Sequence, residues 1–314
     1  MTIDSPDSPD SPCGVFAAAL TRLDSELNVD LAATLDHYRW LLAQGCDGLA
    51  VLGTTGEANS FSLGERLALI EAVAKAGLPA DKLLIGTGCC ALPDTIALTR
   101  AALDHGFRHI LMLPPFYYKG ASDEGLHAAF AGVIDAVGEP DIRVCLYHFP
   151  KMSGVPLGHE LIARLRASHG QAIAGIKDSS GDLGNMQAMC EKFPGFAVYA
   201  GTERYLQPVL EAGGVGCISA TANATSRHCQ AVFAAWRESG AAERQQDLTA
   251  IREVFDRYPV VGALKEVWAR RTNDETWRRL RPPLTALAAA AGDELDQALT
   301  AAGLGPFERP AEVA

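Results

Sequence analysis

The chain has 314 residues, 48% of them hydrophobic and 21% charged. Its net charge of −11 and isoelectric point near 5.2 argue against a surface built to hold nucleic acid. No apolar run approaches the length of a membrane span, so no membrane partner is expected either.

Residues 1–12 are acidic, repeat Ser-Pro-Asp and lack the apolar stretch of a signal or transit peptide; they read as a disordered tail. Eight cysteines without CxxC spacing read as reduced thiols of a cytoplasmic protein. Short apolar strands are predicted at 14–18, 48–52, 83–86, 109–113, 143–148, 173–177, 197–200 and 216–219, with helices between them such as 62–76, 92–104 and 123–137. Alternation of this kind implies a parallel sheet, and eight units are the number that closes a barrel with its active site at the C-terminal strand ends. Residues 13–240 are therefore assigned to a (β/α)8 TIM barrel and 241–314 to a C-terminal helical region, in which Lys265 is read as structural.

The residues with chemistry to offer fall at those strand ends. Gly53, Thr54 and Thr55 form a small-residue turn whose free N–H groups suit an anion. The fifth strand ends in Tyr147, a phenol able to carry a proton. In IAGIKDSSG, residues 173–181, Lys177 stands at the mouth of an apolar strand, where desolvation favours the neutral amine that attacks a ketone to form an imine. Alone, each has a plainer reading: a capped turn, a half-buried aromatic, a lysine whose stem lies on apolar surface. Their convergence on one end of the barrel, with Gly201 beside them, changes the balance. His148 and His159 lie near the same rim without ligand spacing, so no metal is expected. The glycines of EAGGVG at 211–216 fit a phosphate site or an ordinary tight turn equally well.

Taken in order, GTTGE at 53–57, PPFYYKG at 114–120, YHFPKMSG at 147–154, GIKDSSGD at 175–182 and GCISATAN at 216–223 resemble the signatures of the dihydrodipicolinate synthase and N-acetylneuraminate lyase family. The resemblance runs from about Gly14 to the C-terminal helices. It implies a class I, Schiff-base lyase that handles pyruvate and needs no metal or organic cofactor. Carried over residue by residue, Lys177 would form the imine with C2 of a 2-oxo acid and Tyr147 would shuttle the proton. The Thr54 and Thr55 N–H groups would hold the carboxylate, and Ile218 would line the pocket through its backbone carbonyl. The Thr54 hydroxyl would link Tyr147 to a tyrosine of a neighbouring subunit, which implies a homo-oligomer, a dimer or tetramer. Two adjacent tyrosines match that role, and Tyr117 is preferred to Tyr118.

One departure bears on the second substrate. The family's synthases have an arginine five residues after the strand tyrosine, gripping the carboxylate of aspartate semialdehyde; here the position is Met152, and a thioether cannot make that pair. Lys151 is adjacent, although in an extended segment neighbours point in opposite directions. Met152 favours an aldolase of the 2-keto-3-deoxy sugar acid type, joining pyruvate to a hydroxylated aldehyde or releasing both. Glu203 resembles the acidic position that binds substrate hydroxyls in sugar-acid lyases, with a helix N-terminal carboxylate as its plainer reading. Ser179, Ser180 and Ser219 are further hydroxyl contacts to consider. The alternatives are dihydrodipicolinate synthase, a 2-keto-3-deoxy acid dehydratase and a non-enzymatic 2-oxo acid binding protein; the presence of both Lys177 and Tyr147 speaks against the last.

Overall fold

The apolar runs form eight strands: β1 (Gly14–Ala18), β2 (Gly48–Val51), β3 (Leu83–Gly86), β4 (His109–Met112), β5 (Arg143–His148), β6 (Ile173–Asp178), β7 (Ala197–Ala200) and β8 (Gly216–Ser219). In the computed structural model, which describes residues 11–307, they pair in sequence order, all parallel, and β8 closes onto β1. The expected (β/α)8 barrel is thus present.

Helices α1 (Leu31–Ala43), α2 (Leu63–Lys75), α3 (Leu92–Asp104), α4 (Asp123–Val137), α5 (Pro150–Ser153), α6 (His159–His169), α7 (Leu183–Lys192), α8 (Leu206–Glu211) and α9 (Ala222–Ala234) connect and cover the strands. The C-terminal region adds α10 (Ala241–Phe255), α11 (Val260–Thr272) and α12 (Ala289–Ala301). Two boundaries differ from expectation for local reasons. β2 ends one residue early because Leu52 adopts φ +59°, outside the strand region. α2 starts at Leu63 because Ser62 is its N-cap, in a reciprocal capping box with Glu65. Of the expected tail, residues 1–10 lie outside the described residues, while the Pro12 carbonyl accepts a hydrogen bond from the Tyr199 hydroxyl.

Strand side chains alternate between two cores. Phe16, Ala18, Cys145, Tyr147, Tyr199 and Ile218 fill the barrel interior, whereas Val15, Ala17, Val144, Leu146, Ile176 and Cys217 pack outward against the helices. Because Lys177 is registered with Tyr147 on one side and Tyr199 on the other, it belongs to the inner face, and its neighbour Asp178 to the outer one.

α10 and α11 pack on α9, and α11 closes an aromatic cluster with α1. Its centre is His37, 4.6 Å from Trp268 and 4.9 Å from Trp277 between ring centroids. Its Nε2 lies 2.9 Å from Asn223 Oδ1, an acceptor, so Nε2 carries the proton; Nδ1 is buried without a partner. Burial pushes this imidazole down to about 3, because the cation is excluded from the aromatic cluster. In the unfolded chain the group titrates near 6.5, so below that pH the unfolded state binds a proton that the native state refuses. Stability is then lost as pH falls, and by pH 5 the loss from this one group is about 2 kcal/mol. Urea unfolding of wild type and His37→Gln at pH 7 and pH 5 checks this: Gln keeps a donor near Asn223 without titrating, so its stability is expected to fall less between the two.

Candidate active site

The turn after β2 is built under constraint. Leu52 and Glu57, at φ +59° and +58°, take left-handed backbone at either end of Gly53–Gly56, a conformation that costs a non-glycine residue energy unless the surroundings hold it. Glu57 supplies the hold. Its buried carboxylate pairs with Lys265 Nζ at 2.5 Å and accepts the Arg281 N–H at 3.1 Å, tying the turn to α11 and the segment beyond it. Lys265 is itself buried and also donates to the Arg279 carbonyl, which gives it the structural role expected. Within the turn, Glu57 N–H donates to Thr54 O and Ala58 N–H to Gly53 O. Among the described residues, the N–H groups of Thr54 and Thr55 have no acceptor in the chain. Adjacent free donors in a tight turn form a concavity for an anion.

Tyr147 faces this turn, its hydroxyl 3.4 Å from Thr54 Oγ1. A small cleft opens here, walled by Gly53, Thr54, Asn59, Gly86, Gly88, Leu111, Leu113 and Tyr147 among others. Lys177 is not on that wall; it is 4% exposed, with Nζ 4.3 Å from the centroid of the Tyr147 ring. Its nitrogen is thus held against an aromatic face in a site largely closed to water. Two other titratable groups lie in the barrel interior. Burial pushes the Cys145 thiol up to about 12, leaving it protonated and unreactive. Tyr199, the other tyrosine beside Lys177, is raised well above its ordinary value by burial and donates its hydroxyl to the Pro12 carbonyl, whereas the Tyr147 hydroxyl faces Thr54 Oγ1.

Gly201 and Ile218 also lie at this end. A side chain at Gly201 would overlap Ser179 Oγ at 2.2 Å and the Asp178 carbonyl at 2.5 Å, so glycine there lets β6 and β7 close on each other. Ile218 is fully buried on the inner face of β8. Gly86, the last residue of β3, and Gly88 beyond it were not singled out from sequence although their position at a strand end would have sufficed; a side chain at Gly86 would overlap the Leu52 carbonyl at 2.2 Å.

Other expected residues sit differently. Glu203 is a correction: it is fully buried, and its carboxylate accepts from the Ser219 and Thr221 hydroxyls and from Arg252 Nη1 of α10 at 3.1 Å. No face is left for a substrate hydroxyl, and Ser219 is spent in the same cluster. Ser180 accepts the Asp182 N–H at 3.1 Å. Met152 is 63% exposed on α5, and that segment is a helical turn, so Lys151 and Met152 do not point in opposite directions as an extended strand would require. The Lys151 amine lies over Gly181 in the loop after β6. Tyr117 and Tyr118, 73% and 79% exposed, pack edge to face in the loop after β4 and do not reach Thr54 or Tyr147 within the chain.

A model of the dihydrodipicolinate synthetase family matches residues 11–302. An uncharacterised DapA-like lyase of Chloroflexus aurantiacus is 37% identical over 281 residues, 88% of this chain and 92% of that one. The crystal structure of dihydrodipicolinate synthase from Agrobacterium tumefaciens superposes with a TM-score of 0.85 at 30% identity, covering 92% of this chain and 99% of that one. YagE, a prophage protein of the dihydrodipicolinic acid synthase family from E. coli K12 whose structure is a complex with pyruvate, gives 0.84 at 27% identity, with 93% and 99% covered.

Proposed function

From the premise that the chain belongs to the dihydrodipicolinate synthetase family and is a lyase of that family, we propose that it cleaves or forms a carbon–carbon bond of a 2-keto-3-deoxy acid through an imine on Lys177. The observation that carries this reading is the registered pair Tyr147 and Lys177, ring to amine at 4.3 Å, beside the free N–H groups of the Gly53–Gly56 turn.

The Lys177 amine adds to C2 of the 2-oxo acid and the Tyr147 phenol protonates the hydroxide that leaves as water, giving an iminium, its carboxylate on the Thr54 and Thr55 N–H groups, beside a Tyr147 phenolate. The C4 hydroxyl gives up its proton to the Tyr147 oxygen, the C3–C4 electron pair moves into the enamine, and the aldehyde departs. Tyr147 then returns the proton to C3, and hydrolysis frees pyruvate and the amine. Ile218 closes the pocket beside the imine, and no metal or organic cofactor is called for. A homo-oligomer in which Tyr117 reaches a neighbouring Thr54 belongs to the same proposal, supported by that tyrosine's exposure. So does a cytoplasmic setting, supported by four cysteines buried as free thiols.

Met152 supports a neutral hydroxyaldehyde as the second substrate, since its thioether offers no charge to a distal carboxylate. Comparing kcat/KM for glyceraldehyde, N-acetylmannosamine and aspartate semialdehyde, each with pyruvate, tests this; the first two should be preferred. Met152→Arg should raise the relative efficiency with aspartate semialdehyde about tenfold, the low end for a charge-assisted contact because the position is exposed to screening water. Efficient wild-type turnover of aspartate semialdehyde would overturn this specificity and point to Lys151 as the carboxylate ligand.

A further inference from the structure

One residue further along β5 and β6, on the outer face, His148 is registered with Asp178 and is buried beneath the segment that follows. Two hydrogen bonds join it to that segment and to the residue that follows β6. Its Nδ1 accepts the Leu157 N–H at 3.0 Å, which fixes the ring as the Nε2–H tautomer. Its carbonyl accepts the Ser179 N–H at 2.8 Å. Asp178, fully buried and bonded to the Ser180 N–H and the Asn185 side chain at 2.7 Å each, stands opposite on β6. Burial holds His148 below its ordinary value, against the pull of Asp178, so the ring stays neutral and Nδ1 stays an acceptor.

The segment closed by the Leu157 bond begins with Phe149, whose ring stacks on Tyr147 at 5.8 Å and 25°. Ser153 gathers its middle, the hydroxyl donating to Phe149 O and accepting the Val155 N–H at 3.1 Å. Phe149 is thus pinned between the inner-face tyrosine it covers and an outer-face histidine that closes the loop behind it.

We propose that His148 is a positioning residue for proton transfer: by accepting the Leu157 N–H it closes the Phe149–Leu157 loop, which keeps Phe149 stacked on Tyr147 and the phenol aligned with the reacting carbon. This rests on the roles given above to Lys177 and Tyr147. It needs no knowledge of the aldehyde, because exchange of the pyruvate methyl protons with solvent deuterium passes through the same imine and the same phenol.

The test measures two steps on the full-length protein: borohydride trapping of the pyruvate adduct on Lys177, and the exchange rate of pyruvate methyl protons in D2O. His148→Asn places an amide oxygen near the position of Nδ1, whereas His148→Gln extends its amide to that of Nε2 and leaves Leu157 N–H unpaired. His148→Asn should exchange within about threefold of wild type, and His148→Gln about tenfold slower, the worth of one positioned hydrogen bond. Both should trap pyruvate as wild type does. Equal exchange rates in the Asn and Gln variants, or equal losses of trapping and exchange in the Gln variant, would overturn the positioning role. Absence of any adduct in wild type would instead overturn the imine on which it rests. Should His148→Gln fail to fold, Leu157→Pro removes the donated N–H from the other side and should slow exchange while leaving trapping intact.

Discussion

Tyr147→Phe should leave the barrel folded and slow turnover by about 10² to 10⁴ fold, the range that general acid–base catalysis supplies. The ring packs in the barrel interior and carries the contacts to Phe149 and Lys177, all of which phenylalanine preserves; what is lost is one oxygen, 3.4 Å from Thr54 Oγ1. Pyruvate binding through the Thr54 and Thr55 N–H groups does not use that oxygen, so kcat should carry the loss and KM for pyruvate should change little. Steady-state kinetics with the best aldehyde, alongside thermal unfolding to confirm the fold, would check this. A variant with wild-type kcat would mean that the proton travels by another route, with the Thr54 hydroxyl the first group to consider.

Lys265→Met should cost about 3 to 5 kcal/mol of stability, because it strands the Glu57 carboxylate, fully buried, without its counter-charge. The Glu57→Gln/Lys265→Met double variant should recover much of that loss, since an amide in place of the carboxylate needs no counter-charge and can still accept the Arg281 N–H. Activity should not recover in step: with the ion pair gone, the left-handed backbone at Glu57 loses the contact that holds it, and KM for pyruvate should rise as the Thr54 and Thr55 donors drift. Chemical denaturation of both variants gives the stabilities. A loss below about 1 kcal/mol in Lys265→Met would show that Glu57 finds water or another cation.

The barrel and the central pair were legible in the chain itself because each is a local signal. Short continuous apolar runs bounded by turns mark the strands, and the rule that strand C-termini carry the chemistry sorts Lys177 and Tyr147 from other lysines and tyrosines. Glu203 was misread for the opposite reason. Its partners Ser219, Thr221 and Arg252 lie 16, 18 and 49 residues away, and no local pattern says that they will converge on one carboxylate. Lys151 and Met152 were read as extended, but Pro150 at the start of α5 and Gly154 in a left-handed C-cap enclose a single helical turn. Tyr199 was overlooked because it carries no motif; only its register beside Lys177 brings it into the site. The anchoring of the Gly53–Gly56 turn by Lys265 spans 208 residues and depends on where α11 docks, which side-chain periodicity alone does not specify.

The most direct measurement is to incubate the protein with pyruvate, reduce with borohydride and map the modified residue by peptide mass spectrometry. The expected result is a single reduced pyruvyl adduct on Lys177, absent when pyruvate is omitted and absent in Lys177→Arg. An adduct on another lysine, or none at all, would contradict the mechanism and restore the reading of a 2-oxo acid binding protein.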